Sequence, residues 1–176
     1  MDDVAVRPYD LDRDAEDLWE LKRGFELGLG SGTGTDDKQE VYEAKLDDDY
    51  RERYLNWARW CVSHDERCVL VAESASTNAD SASAGESELL GYVFVLPQQF
   101  AMIWDAAVLN EIFVRAEARG TGIADELMAA AVAFAESQNL PLDRLVLDVD
   151  RENDRAQAFY ERHGFEHWGE MVAREL

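Results

Sequence analysis

The sequence predicts an α/β (α+β) fold in which a mixed central sheet carries helices on its faces. Three observations lead there. Two stretches with helical spacing stand near the start, three apolar strand-like runs follow with no helix between them, and beyond residue 114 strand and helix alternate. The resulting order is β-α-α-β-β-β-α-β-α-β. A chain of 176 residues is the size of one domain.

Residues 3–7 read as a short strand closed by Pro8. Residues 12–26 read as a helix, because Leu11, Ala15, Leu18, Leu21 and Phe25 fall near helical spacing and acids fill the first turn. Gly28, Gly30, Gly32 and Gly34 then alternate through a segment expected to be flexible. A second helical region covers 38–63, with Tyr50, Tyr54, Trp57 and Cys61 on one face. Residues 68–73 and 89–96 are strands. The Ser-, Ala- and acid-rich residues 74–88 between them read as a solvated hairpin loop. The next strand is 108–114. Ile123, Leu127, Ala130 and Phe134 give the following helix its buried face, which ends before Pro141. Strand 144–149, helix 154–163 and an extended segment 165–174 complete the chain.

The most specific stretch is 114–124. A strand ending at Val114 crosses a short turn bearing Gly120 and Gly122 and opens a strongly periodic helix. Such a turn gathers main-chain N–H groups at the positive end of a helix dipole, an anion site suited to pyrophosphate. Two familiar phosphate loops do not fit. A P-loop needs a lysine that is absent near Gly120 and Gly122. The dinucleotide fingerprint needs a third glycine where Asp125 stands, which disfavours a nucleotide-binding oxidoreductase. What fits is Arg119-x-x-Gly122-x-Ala124, followed after one strand by Asn153-x-x-Ala156-x-x-Phe159-Tyr160-x-x-x-Gly164-Phe165. The two patterns together resemble the acetyl-CoA loop and the second signature of the GNAT superfamily of N-acyltransferases. The motifs span residues 108–168; the N-terminal half is similar only in its order of elements.

The resemblance implies one N-acetyltransferase domain over 1–176, with about six to seven strands flanked by about four helices. Residues 1–65 would supply the N-terminal strand and acceptor-side helices, and 66–176 the sheet with the CoA motifs. Acetyl-CoA would be the cosubstrate, with no metal, and the acceptor a small-molecule or peptide amine that attacks directly in a ternary complex. The pantetheine arm would lie in a gap between strands 108–114 and 144–149, along Phe113 and Val114. The Val114 N–H would polarise the thioester carbonyl. Arg119, Gly120, Thr121, Gly122, Ile123 and Ala124 would hold the pyrophosphate, and Asn153 the arm. Tyr160 would protonate the leaving thiolate, as a phenol of reference pKa ~10 can.

Glu111 is the candidate base, because members of the family often place a Glu in this strand. Period-two alternation puts Glu111 and Phe113 on one face and Asn110 and Ile112 on the other. If the site faces the Asn110 side, ordered water must serve instead. Plainer roles stand beside these: Glu111 as a surface acid, Tyr160 as a core aromatic, Asn153 as a helix N-cap, and the Trp and Tyr stripe at 50–60 as core or as acceptor pocket. Asp125 and Glu126 are expected to face solvent, away from a bound phosphate. A CoA-binding regulatory domain without catalysis is the alternative reading, and homodimers are common in the resembled family.

Composition limits the partners. Hydrophobic content of 47% suits a folded globule. No apolar run approaches the ~20 residues of a bilayer span, and the acidic Met1-Asp2-Asp3 start lacks the features of a signal peptide. Cys61 and Cys68 form no metal or redox spacing. A cytoplasmic, reduced protein that does not engage membranes is expected. The formal charge of −21 argues against nucleic-acid binding, which needs clustered Lys and Arg. Acid is spread along the chain and lysine is confined to Lys22, Lys38 and Lys45. This resembles halophilic proteins, whose self-repulsion is screened because the Debye length falls to ~3 Å at 1 M salt. Steering of cationic substrates is the competing reading of the charge.

Overall fold

Five strands form one sheet in chain order: β1 (Val4–Pro8), β2 (Val69–Ser74), β3 (Leu89–Val95), β4 (Ala107–Val114) and β5 (Leu145–Val146). The structure is a computed structural model and describes residues 4–31, 36–74 and 88–174. Neighbours from β1 to β4 run antiparallel and β4 pairs β5 in parallel, so the sheet is mixed as expected. β2 and β3 are buried along most of their length, with Val69, Val71, Val93 and Phe94 essentially sealed from solvent. Strands covered on both faces read as continuous apolar runs, and the helices explain the cover.

Six helices are present among the described residues: α1 (Ala15–Ser31), α2 (Asp36–Ala44), α3 (Asp48–His64), α4 (Ala101–Trp104), α5 (Ile123–Glu136) and α6 (Asp154–Arg162). α5 packs on one face of the sheet, against β2, β3 and β4, while α1 and α3 cover the other. None of the helices is long and apolar enough to cross a membrane.

Four expectations need correction. The helical region 38–63 is two helices, because Asp47 N-caps α3 by accepting from the Tyr50 amide at 2.8 Å and so starts a new helix there. α1 runs on through Gly28 to Ser31, with half-buried Leu27 and Leu29 outweighing a cost of about 1 kcal/mol per glycine. Strand 144–149 keeps only two paired residues, and segment 165–174 joins no ladder among the described residues. A strand exists only with a partner, so the sheet counts five strands where six to seven were expected. Gly32, Gly34 and residues 75–87 of the expected loop lie outside the described residues.

Candidate functional site

β4 and β5 pair only at Ala107–Leu145 and Val108–Val146. Beyond Val108, β4 has no ladder partner on that side among the described residues, so its main chain is open toward residues 147–149. Opposite β3, Phe94 faces Glu111 while the next residue, Val95, faces Leu109, which leaves Asn110 as an extra residue in a β-bulge. Bulges bend a strand and re-aim its side chains. The bulge lies before Glu111, and Glu111 and Phe113 share one face as expected, both meeting α1.

The chain leaves β4 and turns through Gly120, with φ of 79°, and Gly122, with φ of 95°. A Cβ in that left-handed region costs roughly 1–2 kcal/mol, so the turn itself demands both glycines. α5 starts at Ile123, and no side chain caps its first turn. The first-turn amides stand at the positive end of the dipole without a side-chain acceptor. Thr121 braces the turn instead, its Oγ1 donating to the Ala118 carbonyl at 2.6 Å.

Arg119 donates from Nε to the Val114 carbonyl at 3.0 Å and lies over the Phe113 ring at 5.7 Å. Burial, and then the nearby Arg155 guanidinium, depress its pKa below the usual arginine value. Neither Arg119 nor Arg155 forms a salt bridge among the described residues. Two neighbouring arginines, with Glu117 as the acid that acts on Arg119, stand out in a chain of net charge −21. Asp125, expected to face solvent, is half-exposed and tied to α6 by Arg162 at 2.6 Å and His163 at 2.8 Å, while Glu126 is exposed. Those two partners hold the Asp125 carboxyl below the usual range. Its charge is thereby partly cancelled next to the anion-competent turn.

On α6, Asn153 accepts from the Ala156 amide at 3.1 Å, which makes it the N-cap. Tyr160 is half-buried between Phe159 and Phe165, in edge contacts at 5.5 and 5.7 Å. No described residue hydrogen-bonds its hydroxyl. Burial pushes its pKa up to about 12, so the phenol keeps its proton at neutral pH.

Glu111 is only 5% exposed and faces α1 and α3. Its Oε1 accepts from Lys22 Nζ at 2.5 Å and Asn110 Nδ2 at 3.2 Å. Its Oε2 accepts from the Tyr92 hydroxyl at 2.6 Å and the Tyr54 hydroxyl at 2.9 Å. Lys22 also pairs Glu26 at 2.5 Å, and Glu26 is met by Lys45 at 2.6 Å and the Tyr50 hydroxyl at 3.1 Å. Burial works against the Lys22 charge, but Glu111 and Glu26 outweigh it and raise the pKa. Burial likewise opposes the Glu26 charge, yet Lys22 and Lys45 pull its pKa down.

Lys22, Glu26 and Lys45 escaped the sequence reading. The available signal was that Leu18, Lys22 and Glu26 are spaced i, i+4, i+8 on one stripe of α1, in a chain with three lysines.

Tyr50, Arg53, Tyr54 and Trp57 line a hollow of about 200 Å³ on α3, above this network. Within the expected aromatic face, Tyr54 is buried core, and Tyr50 and Trp57 wall the hollow. Cys61 and Cys68 are buried free thiols that burial pushes up to about 12, which leaves them protonated and poor nucleophiles.

A model of the acetyltransferase (GNAT) family matches residues 34–165. A mycothiol acetyltransferase from Salinispora tropica is 30% identical over 98% of this chain and 59% of its own length. An uncharacterized N-acetyltransferase from Archaeoglobus fulgidus is 32% identical over 60% of this chain and 64% of its own. The chain thus spans about three fifths of these relatives' lengths. Among solved structures, the PaiA N-acetyltransferase from Thermoplasma acidophilum in complex with coenzyme A shares the fold, with a TM-score of 0.67 at 20% identity over 93% of this chain and 90% of that one.

Proposed function

The chain belongs to the acetyltransferase (GNAT) family, and on that premise we propose that it moves an acetyl group from acetyl-CoA to a primary amine by direct attack. The observation that carries this reading is the uncapped Gly120–Gly122 turn beside a β4 edge that loses its partner after Val108. The residues fit the cosubstrate. Amides from Gly120 to Ala124, flanked by Arg119 and Arg155, suit a diphosphate, and the open edge along Phe113 and Val114 suits an extended arm. Acetyl-CoA supplies an activated thioester; the protein's share is position and proton transfer. Tyr160 holds a proton for the departing sulfur, Asn153 stiffens the start of α6, and the Val114 amide polarises the acetyl carbonyl. The acceptor enters over the α3 hollow, on the side of Glu111 and Phe113.

Calorimetry with acetyl-CoA and with NAD, followed by free-thiol release across a panel of amines in high salt, tests this directly. Micromolar acetyl-CoA binding and amine-dependent thiol release are expected; NAD binding with no acetyl-CoA binding refutes it. The saturated Glu111 carboxylate favours one second reading, a CoA-binding regulatory domain without turnover. A wild-type protein that binds acetyl-CoA and releases no thiol with any amine supports it.

The acid surplus we assign to adaptation to molar salt in a cytoplasm. Lys22 and Lys45 are drawn into the Glu26 network. A thermal midpoint that rises between 0.1 and 2 M KCl is the expected sign, and a fall tells against it.

A further inference from the structure

Glu111 cannot meet an acceptor amine itself. It is 5% exposed, and each oxygen already receives two donors. Tyr54 is the residue that both lines the α3 hollow and donates its hydroxyl to Glu111 Oε2, whereas Tyr92 donates to the same oxygen from β3 and does not line the hollow. We propose that Tyr54 is a catalytic proton relay, passing a proton from the acceptor ammonium in the hollow to the buried Glu111 carboxylate. The proposal rests on the acetyltransferase reading and names a residue for the proton step.

The transfer balances. An ammonium N–H bond breaks and its proton joins the Tyr54 oxygen while the Tyr54 O–H proton moves to Glu111 Oε2, so Tyr54 stays neutral throughout. The freed nitrogen lone pair forms the bond to the acetyl carbon as the carbon–sulfur bond breaks. The sulfur takes the Tyr160 proton, and the second proton shed by the nitrogen restores Tyr160. Glu111 then returns its proton to solvent, one per turnover.

The surroundings suit a carboxylate that gains and loses charge. The groups facing it are Lys22 and, beyond it, Glu26 from α1, Tyr54 from α3, Tyr92 from β3 and Asn110 from β4; Lys45 and the Tyr50 hydroxyl stand one step further out, bonded to Glu26. When Glu111 is protonated, Lys22 keeps Glu26 at 2.5 Å and is not stranded. Burial, reinforced by Glu111, holds the Tyr54 pKa well above its ordinary value, so its hydroxyl carries a proton to pass on.

Tyr54→Phe and Tyr92→Phe separate relay from scaffolding, because both hydroxyls hold the same oxygen. Tyr54→Phe is expected to lower kcat about 10²-fold or more with little change in the acceptor KM. Its residual rate should climb tenfold per pH unit up to the pKa of the amine, since only free base reacts. Acetyl-CoA affinity by calorimetry should match wild type, and Tyr92→Phe should lose at least tenfold less. Adding Glu111→Gln to Tyr54→Phe should cost nothing further.

Equal losses in the two tyrosine variants, or a Tyr54→Phe enzyme at the wild-type rate, overturn the relay and leave the acetyltransferase reading intact. A wild-type protein that binds acetyl-CoA and releases no thiol with any amine overturns both. Should Tyr54→Phe fail to fold, the wild-type proton inventory decides. A curved inventory in mixed H₂O and D₂O supports two protons moving together, and a linear one refutes it.

Discussion

Replacing Lys22 by Met removes a buried cation while keeping the length and apolar contacts of its stem. Lys22 is 3% exposed, stands 2.5 Å from both Glu26 and Glu111, and lies over the Phe25 and Tyr54 rings. Glu26 retains Lys45 at 2.6 Å and Tyr50 at 3.1 Å, so the loss falls mainly on Glu111, which keeps only neutral donors. Removing one partner of a buried pair costs about 3–5 kcal/mol, a large part of the roughly 5–15 kcal/mol that holds a domain together. At 2–4 °C per kcal/mol for a chain of this size, the thermal midpoint should drop by about 6–20 °C.

The deficit should depend on pH with a definite sign. Without its cation, Glu111 is left as a buried charge with only neutral donors, so the cost attaches to its ionised form. The deficit is then smaller in acid, where carboxylates take up protons, than at neutral pH. It should persist in molar salt, which screens exposed pairs and not this one. Urea denaturation at pH 4 and 7, each in low and high KCl, measures all three. A Lys22→Met protein within 1 kcal/mol of wild type at pH 7, or a deficit that salt abolishes, defeats the reasoning.

Gly91 sits opposite Val114, and a Cβ there would lie 2.6 Å from the Phe113 carbonyl oxygen, which cannot move without shifting β4. Gly91→Ala should cost about 1–3 kcal/mol and weaken acetyl-CoA binding; unchanged stability and affinity count against that packing. Arg155→Ala should weaken acetyl-CoA binding several-fold and flatten its salt dependence while leaving the thermal midpoint within about 1 °C, because Arg155 has no salt bridge among the described residues. An unchanged affinity removes Arg155 from the site. Asp14 and Glu26 both have depressed folded pKa values: burial opposes the charge, but Arg7 and Lys22 respectively prevail. The stability they confer is present above ~4 and is lost as pH falls through the folded pKa. The raised Lys22 pKa adds stability that is complete below ~10.4 and lost only above it. The urea midpoint should therefore be flat between about pH 5 and 10 and fall on acidification; a midpoint that rises from pH 5 to 3 contradicts this.

The parts of this protein legible in its sequence are those governed by neighbours along the chain. The alternation of strand and helix after Val114 is local periodicity. Gly120 and Gly122 are local too, since a left-handed turn demands them wherever the turn sits. The Asn153 cap and the placement of Tyr160 two turns later follow from helix geometry within one segment.

What the sequence could not settle depends on pairing between distant segments. The bulge at Asn110 exists only against β3. Leu145 and Val146 pair with β4 while residues 147–149 part from it, a difference no propensity in that apolar run encodes. Lys22 looked like an ordinary charge on α1 until Glu111, 89 residues away, was brought 2.5 Å from it. A buried ion pair is a property of two surfaces meeting in low dielectric, and neither surface alone carries its signature. Local hydrogen bonding and side-chain period thus wrote the elements and the glycine turn into the sequence. The buried ion-pair network beneath the hollow was decided only where α1, α3, β3 and β4 converge.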